Sequence, residues 1–138
     1  MSTRKKIKIN KKKGIVFWIE GFSGSGKSTL SKLIQNRISK TYGTTIVISG
    51  DVFRNFFDKN GYTKKDRIMN SHKFSDVLVF LSNQKINIIY SVVGLNYKAK
   101  HIYKKKITNF LEIYIKADVH KIIKLNKKKN YKNKKNIL

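Results

Sequence analysis

The run Gly21-Phe22-Ser23-Gly24-Ser25-Gly26-Lys27-Ser28-Thr29 constrains the fold more than any other stretch, because a different periodicity lies on each side of it. Before it, Ile15 to Glu20 (IVFWIE) is continuously apolar, β-branched and aromatic, the pattern of a strand buried on both faces. After it, Leu30, Leu33, Ile34 and Ile38 recur at helical spacing until Gly43 stops the run. A strand, a turn of the form GxxxxGK[ST] and a helix together make a phosphate cradle. Glycines let successive backbone N–H groups turn inward, and the helix start adds its own unpaired N–H groups and positive dipole end. Lys27 is then expected to reach the β and γ phosphates of a nucleoside triphosphate, with the Ser28 hydroxyl on Mg²⁺. Gly21 through Thr29 are the candidate triphosphate-binding positions. A flexible Gly/Ser linker would not explain the strand before the motif and the helix after it.

The alternation continues downstream. Thr45 to Ser49 reads as a second buried strand, Lys64 to Ser82 as a helix, Ile86 to Val93 as a third strand and Phe110 to Ile115 as a fourth. Strands alternating with helices imply βαβ crossovers, hence an α/β fold whose parallel sheet is covered on both faces. The 138 residues suit one domain. Residues 1–13 read as a basic leader, 14–123 as the folded domain and 124–138 as a basic tail. Without cysteine there is no disulfide framework and no thiolate metal site, in keeping with a reducing compartment. No apolar run approaches the roughly 20 residues that cross a bilayer, so the expectation is a cytoplasmic protein with no membrane partner.

Lys and Arg total 32 against 7 Asp and Glu, a net charge of +25. Such an excess suits nonspecific nucleic-acid binding through counterion release. Much of it lies in two runs, Lys5 to Lys13 and Lys121 to Lys135, rich also in Asn and Ile, and such runs are usually solvated tails. The hydrophobic share of 40% is too high for a disordered polycation. Arginine is scarce, and two of the four arginines, Arg54 and Arg67, stand beside the motifs considered next. A flat forked donor is what a site needs to grip phosphate, sulfate or carboxylate.

Ligands of parallel α/β sheets bind beyond the carboxyl ends of the strands, so a catalytic carboxylate should follow a strand. Asp51, just after Thr45 to Ser49 and Gly50, is the best placed of the seven acids. It could hold Mg²⁺ through water, accept a proton from an attacking hydroxyl, or merely cap the next helix. Asp118 also follows a strand but reads first as an N-cap. Glu20 and Glu112 lie within strands, and Asp58 and Asp76 look like helix surface.

Taken in order, GIVFWIEGFSGSGKSTL, SGDVFR and GYTKKDRIMN resemble the adenylylsulfate kinase family, from about Gly14 to about Tyr131 and more weakly after Val93. The resemblance implies a P-loop NTPase three-layer fold and transfer of the γ-phosphate of ATP to the 3′-hydroxyl of adenosine 5′-phosphosulfate. By that similarity Lys27 and Asp51 are catalytic, with Asp51 near Mg²⁺ and the acceptor hydroxyl. Arg54 would bind the phosphosulfate, Tyr62 would stack on the substrate adenine, and Arg67 and Asn70 would hold the sulfonucleotide. A nucleotide is thus the expected small-molecule partner, with a homodimer and a sulfate adenylyltransferase as further candidates.

The departures are specific. Where the family commonly has an Ile-Ser-Pro-Tyr segment, this chain has Ser91-Val92-Val93-Gly94-Leu95-Asn96-Tyr97, which puts Gly94 or Leu95 at the serine's place and argues against a phosphoenzyme. The segment closing over ATP is represented by Leu125-Asn126-Lys127-Lys128-Lys129-Asn130-Tyr131, which keeps basic character and tyrosine but lacks the family's Arg, Asp and Gly. The tail therefore reads as a remnant of that lid, and the last sheet strand of the family is expected to be missing. The alternatives are a P-loop kinase for another nucleotide or small hydroxyl compound, a basic nucleic-acid-binding protein, and an inactive remnant.

Overall fold

A computed structural model describes residues 8–57, 63–94 and 97–125. Its elements run β1 (Val16–Glu20), α1 (Lys27–Tyr42), β2 (Thr45–Ser49), α2 (Gly50–Phe56), α3 (Lys64–Asn83), β3 (Asn87–Val92), α4 (Tyr97–Lys106), β4 (Phe110–Tyr114) and α5 (Val119–Leu125). The four strands form one parallel sheet in the order β2-β3-β1-β4. Every residue of β1 and of β3 is buried, as continuous apolar runs in a doubly covered sheet require. The expected α/β class and parallel sheet are therefore observed.

Alternate residues of β1 feed two separate cores. Val16 and Trp18 face the same side as Ile88, Tyr90 and Val92 of β3, packed by Phe53 of α2, Phe74 and Leu78 of α3 and Tyr103 of α4. Trp18, fully buried, lies 4.7 Å from the Tyr103 ring and 5.2 Å from the Tyr90 ring, so one aromatic cluster joins β1, β3 and α4. Burial raises both phenols, Tyr90 well above the ordinary value and Tyr103 to about 12, so both are neutral, packed groups. On the opposite face Ile15, Phe17, Ile19 and Ile89 meet Ile38 of α1, with Leu30 and Ile34 at the margin.

The amino edge of the sheet is tied by amides. Asn87 accepts from the Ile15 N–H at 3.0 Å through Oδ1, while its Nδ2 donates to the carbonyls of Tyr42, Gly43 and Thr44. Asn109 does the same on the other flank, accepting from Asn10 N–H and donating to the carbonyls of Asn10, Lys13 and Gly14. Ile9 packs on the margin of the α1-side core, so residues next to the domain already belong to the folded body.

Two short helices depart from the sequence pattern. The pattern outlined no helix at α4, five of whose ten residues are lysine; its inward face reduces to Ala99 and Tyr103. The Lys121 to Lys135 run, expected to be solvated, begins inside α5, where Ile122 is buried. Asp118 accepts from the His120 and Lys121 N–H groups and so caps α5, as its position suggested. No described helix is long and apolar enough to cross a membrane.

Candidate active site

Because all strands are parallel and in flush register, with Glu20 opposite Val92 and Tyr114, their carboxyl ends share one edge. The turn from Gly21 to Gly26 leaves that edge from β1. Gly24 and Gly26 have φ of 82° and 94°, a left-handed conformation that L side chains rarely adopt. Gly26 is the N-cap of α1 and no side chain caps that end, which leaves the first N–H groups of the helix to the turn. Lys27 Nζ donates to the carbonyls of Gly21 at 2.9 Å and Phe22 at 2.6 Å, so the ammonium lies against the loop's own backbone. Ser28 and Thr29 are exposed on the first turn. Ser25 Oγ is, among the described residues, the one buried side-chain oxygen without a hydrogen-bond partner. A buried hydroxyl without a partner in the glycine turn suits a ligand with acceptor oxygens.

The loop is closely fitted. A Cβ on Gly21 would lie 2.8 Å from Ser25 Oγ and 3.0 Å from the Ile115 carbonyl, so a side chain there would force a neighbour to move. One on Gly24 would touch Ile122 Cγ2 at 3.4 Å, which puts α5 against the glycine turn.

Two strands away, β2 delivers Asp51 and Arg54. At the usual strand spacing of ~4.8 Å, the ends of β1 and β2 are about 10 Å apart across β3. Ser49 caps α2, accepting from the Val52 N–H at 3.3 Å, so Asp51 is not the cap; its exposed carboxylate (74% accessible) pairs with Arg54. Arg54 Nη1 lies 3.6 Å from where a Gly50 Cβ would stand, and the guanidinium is near enough to Tyr90 to act on it electrostatically. The arginine thus lies close to Gly50, where β2 passes into α2.

Helix α3 runs back toward the amino edge, so its start belongs to the carboxyl edge. Its 20 residues span about 30 Å, against the ~20 Å of a six-residue strand, and its first turns overhang the sheet. Thr63 and Asp66 form a reciprocal capping box there, which accounts for Asp66. Arg67 and Asn70 are three apart and share one helix face. The structure therefore brings the glycine turn, Lys27, Ser28, Asp51, Arg54, Arg67 and Asn70 to one edge. Tyr62 and Asn126 to Tyr131 lie outside the described residues.

The pattern did not reveal a charged cluster just behind the turn. Lys100 of α4 reaches Glu20 Oε1 at 2.6 Å and Glu112 Oε1 at 2.5 Å, and Lys104 reaches Glu112 Oε2 at 2.6 Å. Hydrogen bonds from both lysines hold the Glu112 carboxyl below its ordinary pKa. Burial draws Lys100 down, but its bonds to Glu112 and Glu20 outweigh this and leave it raised. The available signal was Lys100 and Lys104 four apart, on a helix preceding a strand with an acid in its middle.

A glycine-rich turn between a parallel strand and an uncapped helix, with its lysine inside, defines the P-loop class of nucleoside triphosphate-binding folds. The model of the family described as adenylylsulphate kinase matches residues 13–137. The chain belongs to the adenylylsulphate kinase family, whose members are phosphotransferases of that class. Among curated relatives it is 27% identical over 116 residues to the cytidine diphosphoramidate kinase of Campylobacter jejuni, covering 84% of this chain and 68% of that one. It is 28% identical over 108 residues to the adenylyl-sulfate kinase of Microcystis aeruginosa, covering 78% and 60%. The chain thus spans about three fifths to two thirds of the length of these relatives. Among solved structures, that of APE1195 superposes with a TM-score of 0.75 at 28% identity, covering 88% of this chain and 70% of the other. The Mycobacterium tuberculosis APS kinase CysC in complex with AMPPNP and APS superposes with a TM-score of 0.72 at 21% identity, covering 86% and 72%, a likeness of fold.

Proposed function

We propose that this chain transfers the γ-phosphate of ATP to a sugar hydroxyl of an anionic nucleotide, with the 3′-hydroxyl of adenosine 5′-phosphosulfate as the leading acceptor. The observation that carries the reading is one edge bearing both a P-loop and, two strands away, the Asp51–Arg54 pair. In this reading the turn's N–H groups and Lys27 bind the β and γ phosphates, and Arg54, Arg67 and Asn70 hold the acceptor's charged groups. Asp51 takes the proton of the attacking hydroxyl as its oxygen bonds to the γ-phosphorus and the bond to the bridging oxygen of ADP breaks. Tyr62 stacks on the acceptor's base.

Among the described residues no group of three His, Cys, Asp or Glu could hold a metal alone. Hard oxygen donors, the Ser28 hydroxyl and Asp51, are nevertheless at the site, which suits Mg²⁺ carried in by the triphosphate. Bound there, the ion would offset charge on the phosphate oxygens. A homodimer, a sulfate adenylyltransferase partner and a cytoplasmic location belong to the same proposal.

The relative from Campylobacter jejuni favours a second acceptor, cytidine diphosphoramidate, on the same machinery. Coupled ADP release with each acceptor in turn separates the two. Turnover dependent on adenosine 5′-phosphosulfate and lost in Asp51→Asn is the expected result. Turnover with the cytidine compound alone would replace the acceptor, and none with either, despite intact Mg-ATP binding, would end the nucleotide-kinase reading.

A further inference from the structure

We infer that Lys100 is a positioning residue of the phosphate cradle: it neutralises and orients Glu20, the residue that leads into the loop, and thereby sets the loop's affinity for a triphosphate. This rests on the ATP-binding reading above. Glu20 ends β1 and is followed directly by Gly21, whose carbonyl holds Lys27 Nζ at 2.9 Å. Its side chain is only 10% accessible and both oxygens are occupied, Oε2 by Trp18 Nε1 at 3.1 Å and Oε1 by Lys100 Nζ at 2.6 Å. One peptide unit thus separates a buried carboxylate from the residue on which the cradle's lysine rests.

An unpaired negative charge there would repel the anion that the turn is shaped to receive, and burial would weaken the screening that water gives. Lys100 cancels it. Glu112 and Lys104 complete the group, so two ammonium and two carboxylate groups leave no net charge behind the loop. Stability alone is a poor reason for this arrangement, because a buried ion pair is often no better than apolar residues of the same volume. Trp18 already forms such packing on this face, its ring 4.7 Å from that of Tyr103 and 5.4 Å from that of Phe110. The pair does something that packing cannot. It fixes the carboxylate at the root of the turn to α4, a helix starting at the same carboxyl edge of the sheet.

The test is calorimetric binding of Mg-ATP to the full chain and to Lys100→Met, Lys100→Arg, Glu20→Gln and the Glu20→Gln/Lys100→Met double variant, with ligand-free melting recorded for each. Lys100→Met should weaken binding about tenfold, Lys100→Arg should bind within about threefold of wild type, and the double variant should recover most of the loss, since a coupled pair is non-additive. With acceptor turnover, the Lys100→Met defect should appear in KM for ATP more than in kcat. If Lys100→Met does not fold, Lys100→Gln, which keeps a donor for Glu20 without the charge, takes its place under the same expectation. A folded Lys100→Met protein, or the Lys100→Gln protein in its place, that binds Mg-ATP like wild type overturns the inference, as does a double variant no better than Lys100→Met alone. Failure of the wild-type chain to bind Mg-ATP would instead defeat the ATP-binding reading, and this inference with it.

Discussion

Replacing Gly21 by alanine tests whether the turn's shape, rather than its charge, makes the site. The added methyl would meet Ser25 Oγ at 2.8 Å, the Ile115 carbonyl at 3.0 Å and Ile115 Cβ at 3.3 Å. Gly21 has no positive φ, so the strain is steric and confined to these neighbours. Two ways of relieving it have different consequences. If Ser25 turns away, little stability is lost, because its hydroxyl has no hydrogen bond to break, but a side chain enters the space meant for phosphate. If Ile115 gives way, the 2.8 Å bond from its N–H to the Glu20 carbonyl stretches and β4 loosens from β1. Overpacking of this kind costs about 1–3 kcal/mol, and each ~1.4 kcal/mol taken from binding is a factor of ten in Kd. A side-chain oxygen yields more easily than a backbone carbonyl, so the loss should fall mainly on Mg-ATP affinity, about tenfold or more, with unfolding changed by about 1 kcal/mol or less. Urea unfolding followed by the fluorescence of Trp18, the single tryptophan, measures one quantity and calorimetry the other. Adding Ser25→Gly should restore part of the affinity. A Gly21→Ala protein with wild-type stability and wild-type affinity would refute the reasoning, and one that loses stability but not affinity would show that Ile115 is the group that moves.

At Gly14 a methyl would sit 1.9 Å from the Ile86 carbonyl, a backbone atom that cannot turn aside, so Gly14→Ala should cost about 3 kcal/mol or more by urea unfolding. Asn87→Ala leaves the buried Ile15 N–H without its acceptor and should cost about 1–3 kcal/mol, with Mg-ATP binding by the remaining folded protein unchanged, since the amide lies at the opposite edge from the turn. Glu112 has its pKa lowered by bonds from Lys100 and Lys104, so its contribution is present above the unfolded value of about 4.5 and is lost as the pH falls through the lower folded value. Glu112→Gln should therefore flatten the acid limb of the stability curve below about pH 4.5, and parallel acid limbs for the two proteins would contradict the pairing.

The parts readable in advance were those carried by contiguous residues. Residues 15 to 43 announce strand, turn and helix because the apolar pattern changes period at the glycines, and the structure has β1 and α1 there. Asp51 was singled out by a rule about strand ends, which needs no knowledge of strand order, and it does stand just past the end of β2. Lys100 could not be found that way. Its partners Glu20 and Glu112 come together only because β4 lies beside β1, with Trp18 opposite Glu112 in the register, and that adjacency is a property of the sheet. Asn87 and Asn109 escaped notice for a related reason: in a chain rich in asparagine, residue type says nothing about which amide closes an edge.

Composition decides which charges carry information. With 32 basic residues against 7 acids, a lysine near a motif is expected by chance, whereas every acid has many cations to choose from and its choice is specific. The described acids other than Asp51 each have a local structural task. Asp66 and Asp118 cap helices, Asp76 pairs with Lys106, and Glu20 and Glu112 share Lys100. Asp51 differs from these in position, although Asp76 is about as exposed. It follows the end of a strand, the capping of its helix is done by Ser49, and its carboxylate is largely open to solvent beside a guanidinium. Exposure at the edge where the phosphate turn opens is what a group that must meet a ligand requires, and it makes Asp51→Asn the substitution on which the proposed chemistry depends.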